Sequence, residues 1–234
     1  MLTKRKNLML IIIYLAGMFV IPMLVLPVIV RLRGYQLAEF LTAGNFDVSI
    51  NALVMFLVYL LLCGVLLFLT REIFWQDLQK LKSGKNFLGQ MLIGLICTFS
   101  AATIGSMIVT FLGATGPAVN QEMVEATLNA MPLLMVITVA FFAPIVEEIV
   151  FRLVLMNHFN VAPIWNLILS SLIFGFVHVL VGGIIHIVPY FLMGLVFGYF
   201  YLKNRNIWHV TVLHMLHNGV TTMMLFFGQQ LLDM

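Results

Sequence analysis

The feature that most constrains this chain is a series of apolar runs, each about as long as a bilayer is thick and each bounded by charged or turn residues. An α-helix needs roughly 20 residues, at about 1.5 Å per residue, to cross the hydrocarbon core of a membrane. Backbone groups in lipid must hydrogen-bond within their own segment, so unbroken runs of this kind fold as helices. With a window of about 19 residues, the runs fall near 8–30, 48–69, 87–112, 131–157, 163–181, 184–202 and 208–227. The expected fold is all-α: a polytopic transmembrane helix bundle of about seven spans. Charged residues make up only 9% of the 234, and mean hydropathy is +1.10, whereas a soluble domain is about a quarter charged.

Charge between the runs gives an orientation. Lys4, Arg5 and Lys6, then Arg71, Lys80, Lys82 and Lys85, then Lys203 and Arg205 fall on one side. Arg31 and Arg33 with Glu39 and Asp47, then Glu122 and Glu125, then Asp233 fall on the other. The positive-inside bias puts the N-terminus in the cytoplasm. Because the bases sit at span ends and form no stripe, they speak of topology and not of a nucleic-acid partner. The first run ends only at Arg31, too long for a cleaved signal peptide, and reads as a retained span. Cys63 and Cys97 lie inside apolar runs and read as buried free thiols. Residues 113–130, rich in Gly, Pro, Asn and Glu, form an outer loop with room for an interfacial helix. The loop divides three N-terminal spans (1–112) from a motif-bearing core (131–227). Gly194 and Gly198 make a small-residue pair suited to close packing within the bundle.

Ionisable groups at span depth are costly, about 2.5 to 3.5 kcal/mol or more on insertion scales, so each invites a functional explanation. The fourth run holds Glu147, Glu148 and Arg152. Glu148 and Arg152 are spaced i, i+4, which favours an ion pair, while Glu147 is turned about 100° away. It is thus a carboxylate with no local counter-ion, suited to act as general base or acid. The fifth run supplies His178, and the seventh His214, His217 and Asn218. Structural roles compete with functional ones. The Glu148–Arg152 pair reads first as a buried bridge, His217 as packing or direct participation, and His158, His186 and His209 as interfacial or solvated.

Three spacings then coincide: Glu147-Glu148 to Arg152 as E-E-x-x-x-R, Phe174 to His178 as F-x-x-x-H, and His214 to Asn218 as H-x-x-x-N. In that order, on separate spans, they resemble the CAAX-protease and bacteriocin-processing (CPBP, or Abi) family of intramembrane peptidases, which includes the type II CAAX prenyl endopeptidases. The resemblance covers about residues 131–227. It implies that Glu147 and His178 activate water, that His214 and Asn218 bind the oxyanion, and that Glu148 and Arg152 hold the geometry. The family was long described as metalloproteases. Zinc, with Glu147, His178 and His214 as candidate ligands, therefore stays open, although H-E-x-x-H is absent and a metal-free mechanism is preferred. The implied partners are a peptide or membrane-protein substrate and membrane lipid, with no nucleic acid, in a bacterial cell membrane. Pheromone or bacteriocin processing, self-immunity and CAAX cleavage are the substrate alternatives. A non-catalytic immunity or scaffold protein of the same fold, and last a proton-coupled transporter, are the functional ones.

Depth tests convergence. Counted from the cytoplasmic span ends, Glu147, His214 and Asn218 lie roughly 10 to 16 Å deep and His178 about 22 Å. The site is expected to open toward the cytoplasmic half.

Overall fold

The apolar runs become helices that are hydrophobic on nearly every face, as lipid-embedded helices are. The computed structural model describes residues 2–37, 47–82 and 86–232, so Glu39, Lys85 and Asp233 lie outside the described residues. Among the described residues every regular element is helical. The helices are α1 (Lys4–Leu32), α2 (Val48–Lys82), α3 (Phe87–Phe111), α4 (Val119–Ala130), α5 (Pro132–Asn157), α6 (Pro163–His178), α7 (Ile187–Asn204) and α8 (Ile207–Leu232). Six have the length and apolarity to cross a membrane, and α6 is a shorter apolar helix of 16 residues. The protein is a multi-pass membrane protein. Its outward face is built of large apolar side chains such as Leu24, Phe68, Ile96, Phe111 and Leu133.

The fifth helix is the axis of the bundle: 56% of its apolar window is buried, against 17–33% in the other long spans. Val146, Ile149, Val150, Phe151 and Val154 join α5 to the main core, into which α1, α2, α6, α7 and α8 also pack. Close approach of these helices depends on glycine. Gly194 lies so near α6 that a Cβ there would meet the Cα and Cβ of Ser171 at 3.1 Å. A Cβ on Gly105 would collide with backbone atoms of Pro189, which seats α3 against α7. Gly194 and Gly198 thus serve packing inside this chain.

The second helix outruns its apolar segment. The sequence places its end near 69, where charge begins, yet the helix continues to Lys82 because nothing after Thr70 breaks it and its end finds partners. Asp77 Oδ2 accepts the backbone N–H of Ile207 at 2.9 Å, the Asp77 carbonyl accepts from Asn206 Nδ2 at 2.7 Å, and Trp208 Nε1 donates to the Phe74 carbonyl at 2.8 Å. Asn206 in turn accepts the N–H of Trp208 at 2.9 Å, a side-chain cap on α8. This joint closes one end of the bundle. His209, expected at the interface, is instead buried edge-on against Phe87, because the same joint draws the start of α8 inward.

Candidate active site

The site begins with a distortion of α5. An α-helical stretch, Ala143–Glu148, lies between two π-helical stretches, Thr138–Phe142 and Ile149–Val154. Widening a helix to i→i+5 bonding displaces carbonyls from the regular ladder, and such insertions recur at functional sites. Side chains of neighbouring helices take them up here: Asn218 Nδ2 donates to the Val139 carbonyl at 2.9 Å, and Ser170 Oγ to the Phe151 carbonyl at 2.5 Å. The stretch bearing Glu147 and Glu148 is therefore pinned on both sides.

Glu148 is fully buried. Its Oε2 lies 3.2 Å from Arg152 Nε, an ion pair without hydrogen-bond alignment, and its Oε1 accepts from His214 Nδ1 at 2.8 Å. The Arg152 guanidinium carbon stands 4.8 Å from the Phe174 ring centroid, 5.8 Å from that of Phe197 and 5.9 Å from that of Phe151. This aromatic cage supplies cation–π attraction in place of water. Phe197 also stacks on His214 at 4.3 Å. The pair foreseen from i, i+4 spacing is thus one limb of a longer chain, Arg152 to Glu148 to His214.

Glu147 faces the other way. Its Oε2 lies 3.9 Å from His178 Nε2 and 3.8 Å from His214 Nε2, and has no hydrogen-bond partner among the described residues. A carbonyl oxygen can only accept, so the 2.8 Å contact of His178 Nδ1 with the Phe174 carbonyl fixes the proton on Nδ1. In the neutral ring the Nε2 lone pair then faces Glu147. Tyr190 stacks on His178 at 4.5 Å and holds the ring plane.

Glu147, His178, His214, His217 and Asn218 all line one cavity of about 590 Å³. The four residues expected to react are therefore brought together. The apparent excess depth of His178 disappears because α5 and α6 run antiparallel. A Cβ tilts toward the N-terminus of its own helix, so the two side chains reach toward each other along the bundle axis. His217 is buried, packs 4.6 Å from Phe99, and keeps Nδ1 without a partner.

One expectation fails. Lining residues include Gly116, Pro117, Asn120 and Gln121 from the segment before and within α4, and His186 before α7, whereas among the described residues none comes from the connections 158–162 or 205–206. The cavity opens at the end carrying the 113–130 segment, opposite the end foreseen. Span-depth counting misplaced the opening because it treated the shorter distance to a helix end as the route of access.

Residues 129–220 match the family model described as type II CAAX prenyl endopeptidase Rce1-like, and all three motifs fall inside that match. Over these residues the chain is similar to the CPBP family. Among curated proteins it is 26% identical over 148 residues to "Putative membrane peptidase YdiL" of Bacillus subtilis (strain 168). That match covers 62% of this chain and 59% of the relative's length. No solved structure matches. These similarities support membrane protease activity in general terms.

The family's older metal assignment can be set against the donor set. Two imidazoles and a carboxylate are chemically suited to zinc, but among the described residues no three His, Cys, Asp or Glu side chains are arranged to hold a metal ion. Sequence reasoning missed the cavity's contributions from the first spans, Tyr14 and Tyr59, and the rings that orient the histidines, Tyr190 and Phe197. Tyr190, Gly194 and Phe197 recur at helical spacing, a signal that marks one face of α7. Tyr14 and Tyr59 carry no such mark in a span that is apolar all round.

Proposed function

We propose that this protein is an intramembrane endopeptidase that hydrolyses a peptide bond of a membrane-associated peptide or protein. The observation that carries the reading is the unpartnered Glu147 Oε2, held in the cavity wall with His178 Nε2 and His214 Nε2 at 3.9 and 3.8 Å.

A water that donates to two acceptors at about 2.8 Å each spans roughly 4.4 Å between them, close to the separation of Glu147 Oε2 and His178 Nε2. Glu147 takes one proton from such a water as its oxygen attacks the carbonyl carbon. The carbonyl π electrons move to oxygen, and donors must receive that charge. Asn218 has a second Nδ2 hydrogen beyond the one given to Val139. Donation from His214 Nε2 requires the ring to carry both protons, because Nδ1 donates to Glu148. Glu147 then returns its proton to the amide nitrogen, the C–N bond breaks, and an acid and an amine leave. The Glu148 carboxylate lies between the Arg152 guanidinium and the His214 ring and offsets positive charge there. A buried charge network needs such balance to be tolerable.

The test is cleavage of a peptide by purified protein in detergent, with metal analysis of the same sample. Glu147→Gln and His178→Ala are expected to lower turnover by about 10²- to 10⁴-fold while elution as a folded species is retained. Full activity in both variants sinks the mechanism. Self-immunity that survives Glu147→Gln would favour a non-catalytic immunity protein, and stoichiometric zinc lost with activity would require the donor set to be re-read.

A further inference from the structure

We propose that the cavity opens on the extracytoplasmic face of the membrane and takes an extended peptide segment presented from that side. The inference rests on the peptidase reading for the nature of the occupant, but the orientation itself stands on geometry and charge alone.

The mouth is formed by Gly116, Pro117, Asn120 and Gln121, by His186, and by Leu225 near the end of α8. These residues share one end of the bundle, where α3 and α6 finish and α5 and α7 begin. His178, the last residue of α6, brings one reacting group to this end, and the cavity runs from there down to Glu147 and His214. The opposite end is shut. There Phe74, Asp77, Asn206 and Ile207 are all buried, and their mutual hydrogen bonds tie α2 to α8 across the floor.

Charge divides the same way. Of the eleven Lys and Arg residues in the described part of the chain, eight belong to the closed end: Lys4, Arg5, Lys6, Arg71, Lys80, Lys82, Lys203 and Arg205. Arg152 is buried, and only Arg31 and Arg33 remain for the mouth end, where Asp47, Glu122 and Glu125 offset them. Lys and Arg in short connections stay cytoplasmic as a membrane protein inserts. The closed end is therefore the cytoplasmic one, and the mouth faces out. A cavity of about 590 Å³ lined by all eight helices admits an extended chain and not a folded domain. The substrate class that fits is a terminus or unfolded loop that has already crossed the membrane or is anchored in its outer leaflet, so a translocation step must precede cleavage.

Orientation can be measured without activity. In a background with Cys63→Ala and Cys97→Ser, single cysteines replace Gln121 at the rim, Thr221 deeper on α8, or Lys203 at the closed end. Intact cells are then treated with a membrane-impermeant maleimide before and after permeabilisation. Gln121→Cys and Thr221→Cys are expected to label in intact cells, and Lys203→Cys only after permeabilisation. The reverse pattern overturns the proposal, as does failure of both cavity positions to label from outside while Lys203→Cys behaves as cytoplasmic. A second measurement on the unaltered protein compares cleavage of a fluorogenic peptide with fixed charge in sealed right-side-out and inverted vesicles of expressing membranes. Cleavage in right-side-out vesicles alone supports the proposal, and cleavage confined to inverted vesicles overturns it while leaving the peptidase reading intact. Outside labelling with cleavage in neither preparation sinks the peptidase reading and leaves the orientation standing.

Discussion

Replacing Arg152 by Met tests whether the buried chain Arg152–Glu148–His214 is a matter of charge balance. Arg152 and Glu148 are 1% and 0% exposed, so no water can take over when one partner goes. Removing one member of a buried ion pair leaves an uncompensated charge and costs about 3 to 5 kcal/mol. Arg152→Met should fall in that range, with the thioether filling part of the aromatic cage. Glu148→Gln should cost a similar amount, because the guanidinium keeps only a long 3.5 Å contact to the Gly194 carbonyl and the cage. The double variant Glu148→Gln/Arg152→Met removes both charges and is expected within about 1 to 2 kcal/mol of the parent, since replaced buried pairs are often nearly neutral. Stability is read from thermal unfolding in detergent with a thiol-reactive dye, which reports exposure of the buried Cys63. Activity should not recover with stability. His214 loses its anionic partner in both Glu148 variants, and loss of such an orienting group costs about 10- to 100-fold. A double variant as unstable as the sum of the two singles would refute charge compensation. One that regains full activity would refute the role given to Glu148.

Gly105→Ala should destabilise more than Gly194→Ala, because its Cβ meets the backbone of Pro189 whereas Gly194 meets Ser171 at 3.1 Å, and a shift of tenths of an ångström relieves only the second. The order is checked by unfolding midpoints and is wrong if Gly194→Ala is the weaker protein. Asp77→Ala removes the acceptor for the Ile207 N–H and should cost about 1 to 2 kcal/mol, seen as earlier proteolysis between α2 and α3. Asn218→Leu leaves the Val139 carbonyl without its donor and should cost about 1 to 3 kcal/mol of stability besides lowering turnover. Turnover that falls with stability unchanged would mean that the Val139 bond contributes nothing to the fold.

The parts of this structure that were legible in the sequence are those set by solvent. Seven apolar runs became seven apolar helices because lipid leaves the backbone no alternative. Glu147, His178, His214 and Asn218 stood out because polar groups at that depth are expensive. What stayed hidden depends on side-chain direction and on local helix winding. Nothing in Thr138–Phe142 or Ile149–Val154 announces a π segment, since both runs are ordinary apolar sequence, and the partners that stabilise them lie 79 and 19 residues away. Depth counted along Cα positions would set the partner of Glu147 near residue 173, about ten residues into α6. The buried side chain at that level is Phe174, whose ring lies 4.8 Å from the Arg152 guanidinium carbon, 4.5 Å from the His178 ring and 6.0 Å from that of His214. An imidazole there would contact Arg152 and join the Glu148 network. An aromatic wall at residue 174 instead keeps the only buried cation of α5 on Glu148 and leaves Glu147 to the histidines. The phenylalanine of F-x-x-x-H thus has a physical task of its own. Phe174→Leu, which keeps the site apolar but thins that wall, should lower turnover more than its modest loss of stability explains. Equal and small effects on both would show that the ring only fills space.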